Sequence, residues 1–241
     1  MKSSREERED LLRIARNSQY AKGMNTYSIH HSFQVLSRFV RGEKLLELGP
    51  AEGVMTDQLA GLDGDLTVVE GAEIFCEDLK RRHPNITVVH SLFEEFRPAH
   101  SFDTIVMGHV LEHVEDPVAI LRLAGSWLSN GGRIFAAVPN SRSLHRQAAV
   151  LMGLLPFEET LNDLDRHHGH RRVFNPETFR HAFLEAGLTI EVFGGYWLKP
   201  LNNNQIEQTW NDSMIEAFMQ LGERYPDIAG EIYVVASANS L

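Results

Sequence analysis

At 241 residues, with 43% hydrophobic, 9% aromatic and 23% charged positions, the chain has the composition of an ordinary globular protein. Its length suits one domain, since single cores stop growing at about 250–300 residues. A formal charge of −10 excludes a protein built to neutralise a nucleic-acid backbone, and a single cysteine, Cys76, excludes an internal disulfide.

The first stretch, Met1 to Arg16, is rich in Arg and Glu and lacks the apolar core of a signal peptide. No segment approaches the length of a membrane span, so a cytoplasmic location is expected. The stretch that follows holds Tyr20, Met24, Tyr27, His30, His31 and Phe33 and reads as one or two helices, either buried on their aromatic face or serving as a lid. From Lys44 onward, short apolar runs alternate with helical patterns, the signal of βαβ units and a parallel sheet. Lys44 to Leu48 is the first strand, and Val54, Met55, Leu59 and Leu62 mark the helix after it. Asp65 to Glu70 is the second strand, Ala72 to His83 a helix closed by Pro84, and Ile86 to His90 the third strand. Phe102 to Met107 is the fourth. Asp116-Pro117 then opens a helix through Val118, Leu121, Leu123 and Trp127 that ends at Asn130-Gly131-Gly132, and Arg133 to Val138 is the fifth strand.

Between Asn140 and Val173 the periodicity weakens, with helical character over Leu144 to Leu155. Connections of this length tend to carry function. Asn175-Pro176-Glu177 starts a helix and Gly187 ends it. Thr189 to Phe193 and Glu231 to Ala236 are the last two strands, separated by a helix with Ile206, Trp210, Met214, Ile215, Phe218 and Leu221.

In an open parallel sheet, ligands bind beyond the carboxyl ends of the strands where strand order reverses. The turn there is Glu47-Leu-Gly-Pro-Ala-Glu-Gly53. Gly49 permits close backbone approach and Gly53 opens the helix, so a ligand is expected against exposed amides. Glu70 stands at the end of the second strand, about 20 residues on, where a carboxylate accepts hydrogen bonds from both ribose hydroxyls. The negative Glu47 suits a cation better than a pyrophosphate. A further distinctive run, Met107-Gly-His-Val-Leu-Glu-His-Val-Glu-Asp-Pro117, follows the fourth strand.

These segments resemble the class I S-adenosylmethionine-dependent methyltransferases, in particular the small-molecule branch of the ubiquinone-biosynthesis type. The likeness runs from Lys44 to about Phe193 and includes Phe174-Asn-Pro-Glu-Thr-Phe179 and Ala186-Gly187-Leu188. Ala51 stands where that family's first motif usually has its middle glycine, and Ser91 where it often has Asp. The resemblance implies a Rossmann-like, doubly wound, mostly parallel seven-stranded sheet with an N-terminal helical lid and an insertion after strand five. It implies one domain, with lid 1–43, cofactor half 44–139, acceptor-side insertion 140–174 and C-terminal half 175–241. The cofactor is S-adenosylmethionine, leaving as S-adenosylhomocysteine. Glu47, Gly49, Gly53, Glu70, Gly71, Ser91, Leu92, Phe93, Met107, Gly108 and Tyr27 are the expected cofactor contacts.

Methyl transfer from a sulfonium is an in-line displacement that requires alignment above all, with a base only where the acceptor must lose a proton. His109, His113, His167, His168 and His170 are the candidates, with His167 or His170 preferred in the His-rich run. His109 and His113, four apart, share a face if they lie on a helical turn. Asp165-Arg-His-His-Gly-His-Arg-Arg172 also permits a metal reading, but no metal is expected. Acceptor contacts are expected from Tyr20, His30, Arg171, Arg172 and Trp197, with the loop Lys199 to Asn204 completing the wall. Arg81-Arg82 and Arg142 with Arg146 read as solvated surface rather than a basic site. The acceptor is expected to be a small metabolite methylated on O or N, with no nucleic-acid or membrane partner and a homodimer left open. A nicotinamide-dependent oxidoreductase and a non-catalytic S-adenosylmethionine-binding protein are the alternatives.

Overall fold

The structure is a computed structural model that describes residues 4–18 and 20–239; the first three residues of the charged N-terminal stretch lie outside them. Seven strands form one sheet: β1 (Lys44–Leu48), β2 (Asp65–Glu70), β3 (Thr87–His90), β4 (Phe102–Gly108), β5 (Leu128–Pro139), β6 (Leu188–Tyr196) and β7 (Glu231–Ala238), in the order β3-β2-β1-β4-β5-β7-β6. The first five run parallel, while β7 pairs antiparallel with both β5 and β6. The order reverses between β1 and β4, so their carboxyl ends open the crevice that the sequence points to.

The helices are α1 (Ser4–Arg16), α2 (Met24–Leu36), α3 (Val54–Leu59), α4 (Glu73–Arg82), α5 (Pro117–Ser126), α6 (Leu144–Leu151), α7 (Asp163–His168), α8 (Pro176–Glu185), α9 (Asn203–Thr209) and α10 (Asp212–Gly222). Alternation along the strands sends side chains to both faces, as a doubly covered sheet requires. On β5, Ile134, Ala136 and Val138 join α5 and α8 in one core, whereas Phe135 and Ala137 join α2, α3, α4, α9 and α10 in the other. The cap signals are realised: the Asp116 carboxylate accepts from the Ala119 amide at 2.9 Å, and Asn175 and Thr178 form a reciprocal capping box.

Four expectations change. Asn130-Gly131-Gly132 does not end α5, which stops at Ser126; those residues bulge within β5, where Phe102 and Thr104 face Leu128 and Arg133. The helix expected to reach Leu155 stops at Leu151, and α7, unforeseen, follows in the same insertion. The helix expected between the last two strands is broken into α9 and α10 by Trp210 and the Asn211 cap. Finally, the helix over the crevice is α1, whose Leu11 lies against Gly71. Helix α2 mostly packs into the core through Met24, Val35 and Leu36. No helix among the described residues is long and apolar enough to cross a membrane.

Candidate active site

A cavity of about 630 Å³ lies beyond the carboxyl ends of β1, β2 and β4. Glu47, Gly49, Gly53, Glu70, Gly71, Ser91, Leu92, Phe93 and Gly108 all line it. Gly49 has φ 66°, and a side chain there would press on Val110 and Phe93. Gly53, at φ 81°, would drive a side chain into Leu79 and Arg82, so its role is to close the turn onto α4. Gly108 faces open space, which leaves the end of β4 accessible to a ligand.

The amides expected to be exposed are not. Gly49 N–H donates to the Val69 carbonyl, Gly53 N–H to that of Pro50, and Ala51 N–H to the Glu70 carboxylate. With these three amides spent internally, the turn offers a poor cradle for a pyrophosphate. The other Glu70 oxygen accepts from the Ala72 amide at 2.7 Å, so the carboxylate is fixed edge-on with lone pairs remaining. Burial pushes its pKa up to about 7 against these amide bonds, and burial also pushes Glu47, which accepts from the Thr56 hydroxyl at 2.6 Å, up to about 8. A cationic ligand would draw both acids back toward their ionised forms, and the free lone pairs of Glu70 would accept from hydroxyls, which fits the character of adenosyl sulfonium.

A second, smaller chamber of about 130 Å³ meets the first. Tyr20, Ile29, His109, His168 and His170 line both. Its far wall comes from the insertion, through His145, Arg146 and Asp165, and from Trp197, Lys199 and Glu231. Ala51, His109 and Trp197 are the non-glycine residues with positive φ among those described, at 48°, 57° and 65°, and each lines a cavity. Backbone strain is thus concentrated where ligands would sit.

His109 stands at the junction. Its Nδ1 is 3.3 Å from Glu112 and its Nε2 is 3.7 Å from Glu231. Burial opposes its charge, but Glu231 and then Glu112 outweigh burial and raise its pKa to about 9. Burial would likewise raise Glu112, yet His109 and His113 hold it down at about 2. His113 goes the other way: burial lowers it to about 4. Its Nε2 is hydrogen bonded to the Tyr20 hydroxyl at 2.9 Å, and the same hydroxyl reaches His170 at 3.1 Å. The segment after β4 is a turn rather than a helix, so His109 and His113 separate into a charged group between carboxylates and a neutral one in a phenol relay. Glu112, His113 and His170 each offer a ligand atom within 4.8 Å of the others, but Tyr20 occupies a nitrogen on both imidazoles.

Several expected contacts lie elsewhere. Met107 is wholly buried in the core and lines neither cavity. Tyr27 donates its hydroxyl to Asp212 and ties α2 to α10, while His30 and His167 are exposed; these three line neither cavity. Arg172 is spent on the carbonyls of Leu111, Val114 and Glu115, clamping the turn after β4. Arg171 lines the large cavity and binds both Glu7 oxygens and the His113 carbonyl, so it anchors α1 over the crevice. Arg82, Arg142 and Arg146 are likewise engaged by Asp57 and Asp78, by Glu177 and by Asp165. Sequence reasoning missed Glu52 as a lining residue and did not single out α1 within the expected lid 1–43. His168, a candidate of the His-rich run, lines both cavities, and α1 was discernible through its amphipathic spacing of Leu11 and Ile14.

A methyltransferase-domain family model matches residues 20–191. Among curated relatives, the ubiquinone biosynthesis O-methyltransferase of Chromobacterium violaceum is 25% identical over 179 residues, covering 67% of this chain and 71% of its own. The enzyme of that name from Xanthomonas euvesicatoria is 28% identical over 172 residues, covering 67% and 69%. Among solved structures, an N-methyltransferase of Bradyrhizobium japonicum in complex with S-adenosylhomocysteine has a TM-score of 0.61 at 15% identity, covering 99% of this chain and 100% of that one. A methyltransferase of Thermotoga maritima, described as a possible histamine N-methyltransferase, has a TM-score of 0.62 at 16% identity, covering 98% and 97%.

Proposed function

The chain belongs to the methyltransferase-domain family and is an S-adenosylmethionine-dependent methyltransferase, and from that premise we propose that it methylates an oxygen or nitrogen of a small polar molecule held in the second chamber. The observation that carries the reading is the junction: His109 lines both cavities, between the crevice of Glu70 and the polar chamber of Glu231. When bound, S-adenosylmethionine supplies an electrophilic methyl group. Glu70 would hold the ribose, Glu47 and Glu52 would make the wall favourable to positive charge, Gly108 would admit the methionine end, and Leu92 and Phe93 would border the base.

The chain's own residues then orient and deprotonate the acceptor. Helix α1, fixed through Glu7 and Arg171, covers the crevice and excludes water. His109 in its neutral form accepts the acceptor's proton, and Glu231 and Glu112 stabilise the imidazolium that results. Tyr20, held by His113 and His170, forms the wall between the chambers. The same reading includes a single domain, a cytoplasmic location and no nucleic-acid partner, supported by the formal charge of −10 and by the internal pairing of Arg82, Arg142 and Arg146 described above.

The test is calorimetric titration with S-adenosylhomocysteine, followed by measurement of its production from S-adenosylmethionine with a panel of hydroxyl- and amine-bearing acceptors. Binding and turnover are expected. Failure to bind at millimolar concentration overturns the cofactor assignment, and binding without turnover across the panel would favour a sensor or partner subunit.

A further inference from the structure

The polar side chains of the second chamber are unequally matched. Arg146 donates to the Glu158 and Thr160 carbonyls and to Asp165. His109 faces Glu112 and Glu231, and His170 Nδ1 is 3.5 Å from Asp165. Lys199 differs from these. It lines the chamber with its Nζ 4.5 Å from the centre of the Trp197 ring, and its ammonium makes no ion pair or hydrogen bond among the described residues, Glu231 being the carboxyl whose charge acts on it most strongly. Beside it the Trp197 indole N–H is buried without a partner. Both groups can only donate, and a buried cation or N–H without an acceptor is costly.

The backbone goes to some trouble to place them. Trp197 has φ 65°, a strained value for a bulky residue, and is 2% exposed. Its amide donates to the Met219 carbonyl and its carbonyl accepts from Gly230, so the strand end is gripped from α10 and from the start of β7. Gly222 allows the approach, because a side chain there would run into the backbone at Trp197. Strain held by surrounding structure at a cavity wall marks a group positioned for a ligand.

We infer that the Lys199 ammonium and the Trp197 indole N–H form a seat for a carboxylate of the acceptor, so that the acceptor is a compact carboxylic acid whose methylated atom faces His109. The inference rests on the acceptor-side reading above. A single negative charge with two accepting oxygens satisfies both donors and leaves Glu231 beside His109. A phosphate, more highly charged, would meet Glu231 and Asp165 on the chamber's other walls.

The full chain saturated with S-adenosylhomocysteine is titrated by calorimetry with 3-hydroxybenzoate, with 3-hydroxybenzamide, which has the same shape without the charge, and with inorganic phosphate. The acid is expected to bind at least about tenfold more tightly than the amide, as a charged partner in a desolvated site should. Lys199→Met should abolish that preference. Trp197→Phe, which keeps the ring and removes the N–H, should weaken the acid severalfold and the amide, whose neutral carbonyl accepts less strongly, by a smaller factor. Retained affinity for S-adenosylhomocysteine shows that each variant is folded. A wild-type protein that binds the acid no better than the amide, or phosphate better than either, overturns the proposal, as does a preference that survives Lys199→Met. Failure of S-adenosylhomocysteine itself to bind would instead overturn the cofactor reading.

Discussion

The two chambers that meet at His109 are built on different plans. The larger is made by local sequence: a strand end, a glycine turn, a carboxylate one strand over and a second glycine at the end of β4. Its central carboxylate, Glu70, is matched by the nearby Ala51 and Ala72 amides, while Glu52 Oε2 on the same wall has no hydrogen-bond partner. The smaller draws on the turn after β4, the insertion, the end of β6 and the start of β7, and several of its buried polar atoms, on His109, His145, Trp197, Asn203 and Glu231, have no hydrogen-bond partner. A site built from local sequence fits a ligand common to many enzymes, whereas one assembled from distant segments fits a ligand particular to one. The difference implies that substitutions on one side should alter cofactor affinity and those on the other turnover, with His109 at the boundary.

The largest expected effect is therefore at His109. His109→Asn removes the proton acceptor facing both chambers and should lower kcat by about 10²–10⁴-fold, while affinity for S-adenosylhomocysteine, measured by calorimetry, stays within a few-fold. An equal loss in both quantities would mean that the junction belongs to the cofactor side alone. Next is Glu70→Ala. Hydrogen bonds to a charged group contribute about 1.5–3 kcal/mol each, and the variant also strips the Ala51 and Ala72 amides of their acceptor. S-adenosylhomocysteine should bind about 10–100-fold more weakly, and an unchanged dissociation constant would refute the ribose assignment.

How much of this was legible in the sequence follows the same division. The strand positions, the caps at Asp116 and Asn175, and the residues Glu47, Gly49, Glu70 and Gly108 could be read because each is a local device with its own chemistry. His109 was found as a residue type suited to proton transfer and Tyr20 as an acceptor contact, but their partners were not. Glu231 lies 122 positions beyond His109 in the chain, and no periodicity connects them. His30, His167 and Tyr27 misled because composition gives a side chain's chemistry and not its direction: one helical step sends His31 inward to Glu223 and His30 to solvent.

A smaller effect is a shift in the pH profile. If neutral His109 accepts the proton, kcat should rise with pH along a limb displaced upward from the ordinary imidazole value toward about 9. Glu231 is the largest contributor opposing burial there. Glu231→Gln should thus move the limb to lower pH by about one unit, worth about 1.4 kcal/mol. In linkage terms, a pKa raised by folding stabilises the protonated protein. That contribution is complete below about 6.5, the ordinary imidazole value, and disappears as pH rises through about 9. The variant should therefore narrow the pH window of thermal stability from its alkaline end. A limb that does not move would detach Glu231 from His109.

The smallest effect tests whether strain on the cofactor side is functional or tolerated. Ala51 holds φ 48°, a conformation that costs an L-residue roughly 1–2 kcal/mol. Ala51→Gly releases that strain but adds unfolded-chain freedom worth about 0.4–1 kcal/mol. The two terms leave a net gain of at most about 1.5 kcal/mol, or up to a few degrees in Tm for a chain of this size, at roughly 2–4 °C per kcal/mol. The Ala51 side chain supplies none of the turn's hydrogen bonds; its amide supplies the one to Glu70. Affinity for S-adenosylhomocysteine should accordingly remain within a factor of about two, well under the tenfold that 1.4 kcal/mol represents. If affinity instead falls tenfold while Tm rises, the alanine is what keeps the turn in its binding conformation, and the cofactor side too depends on a residue chosen for this chain.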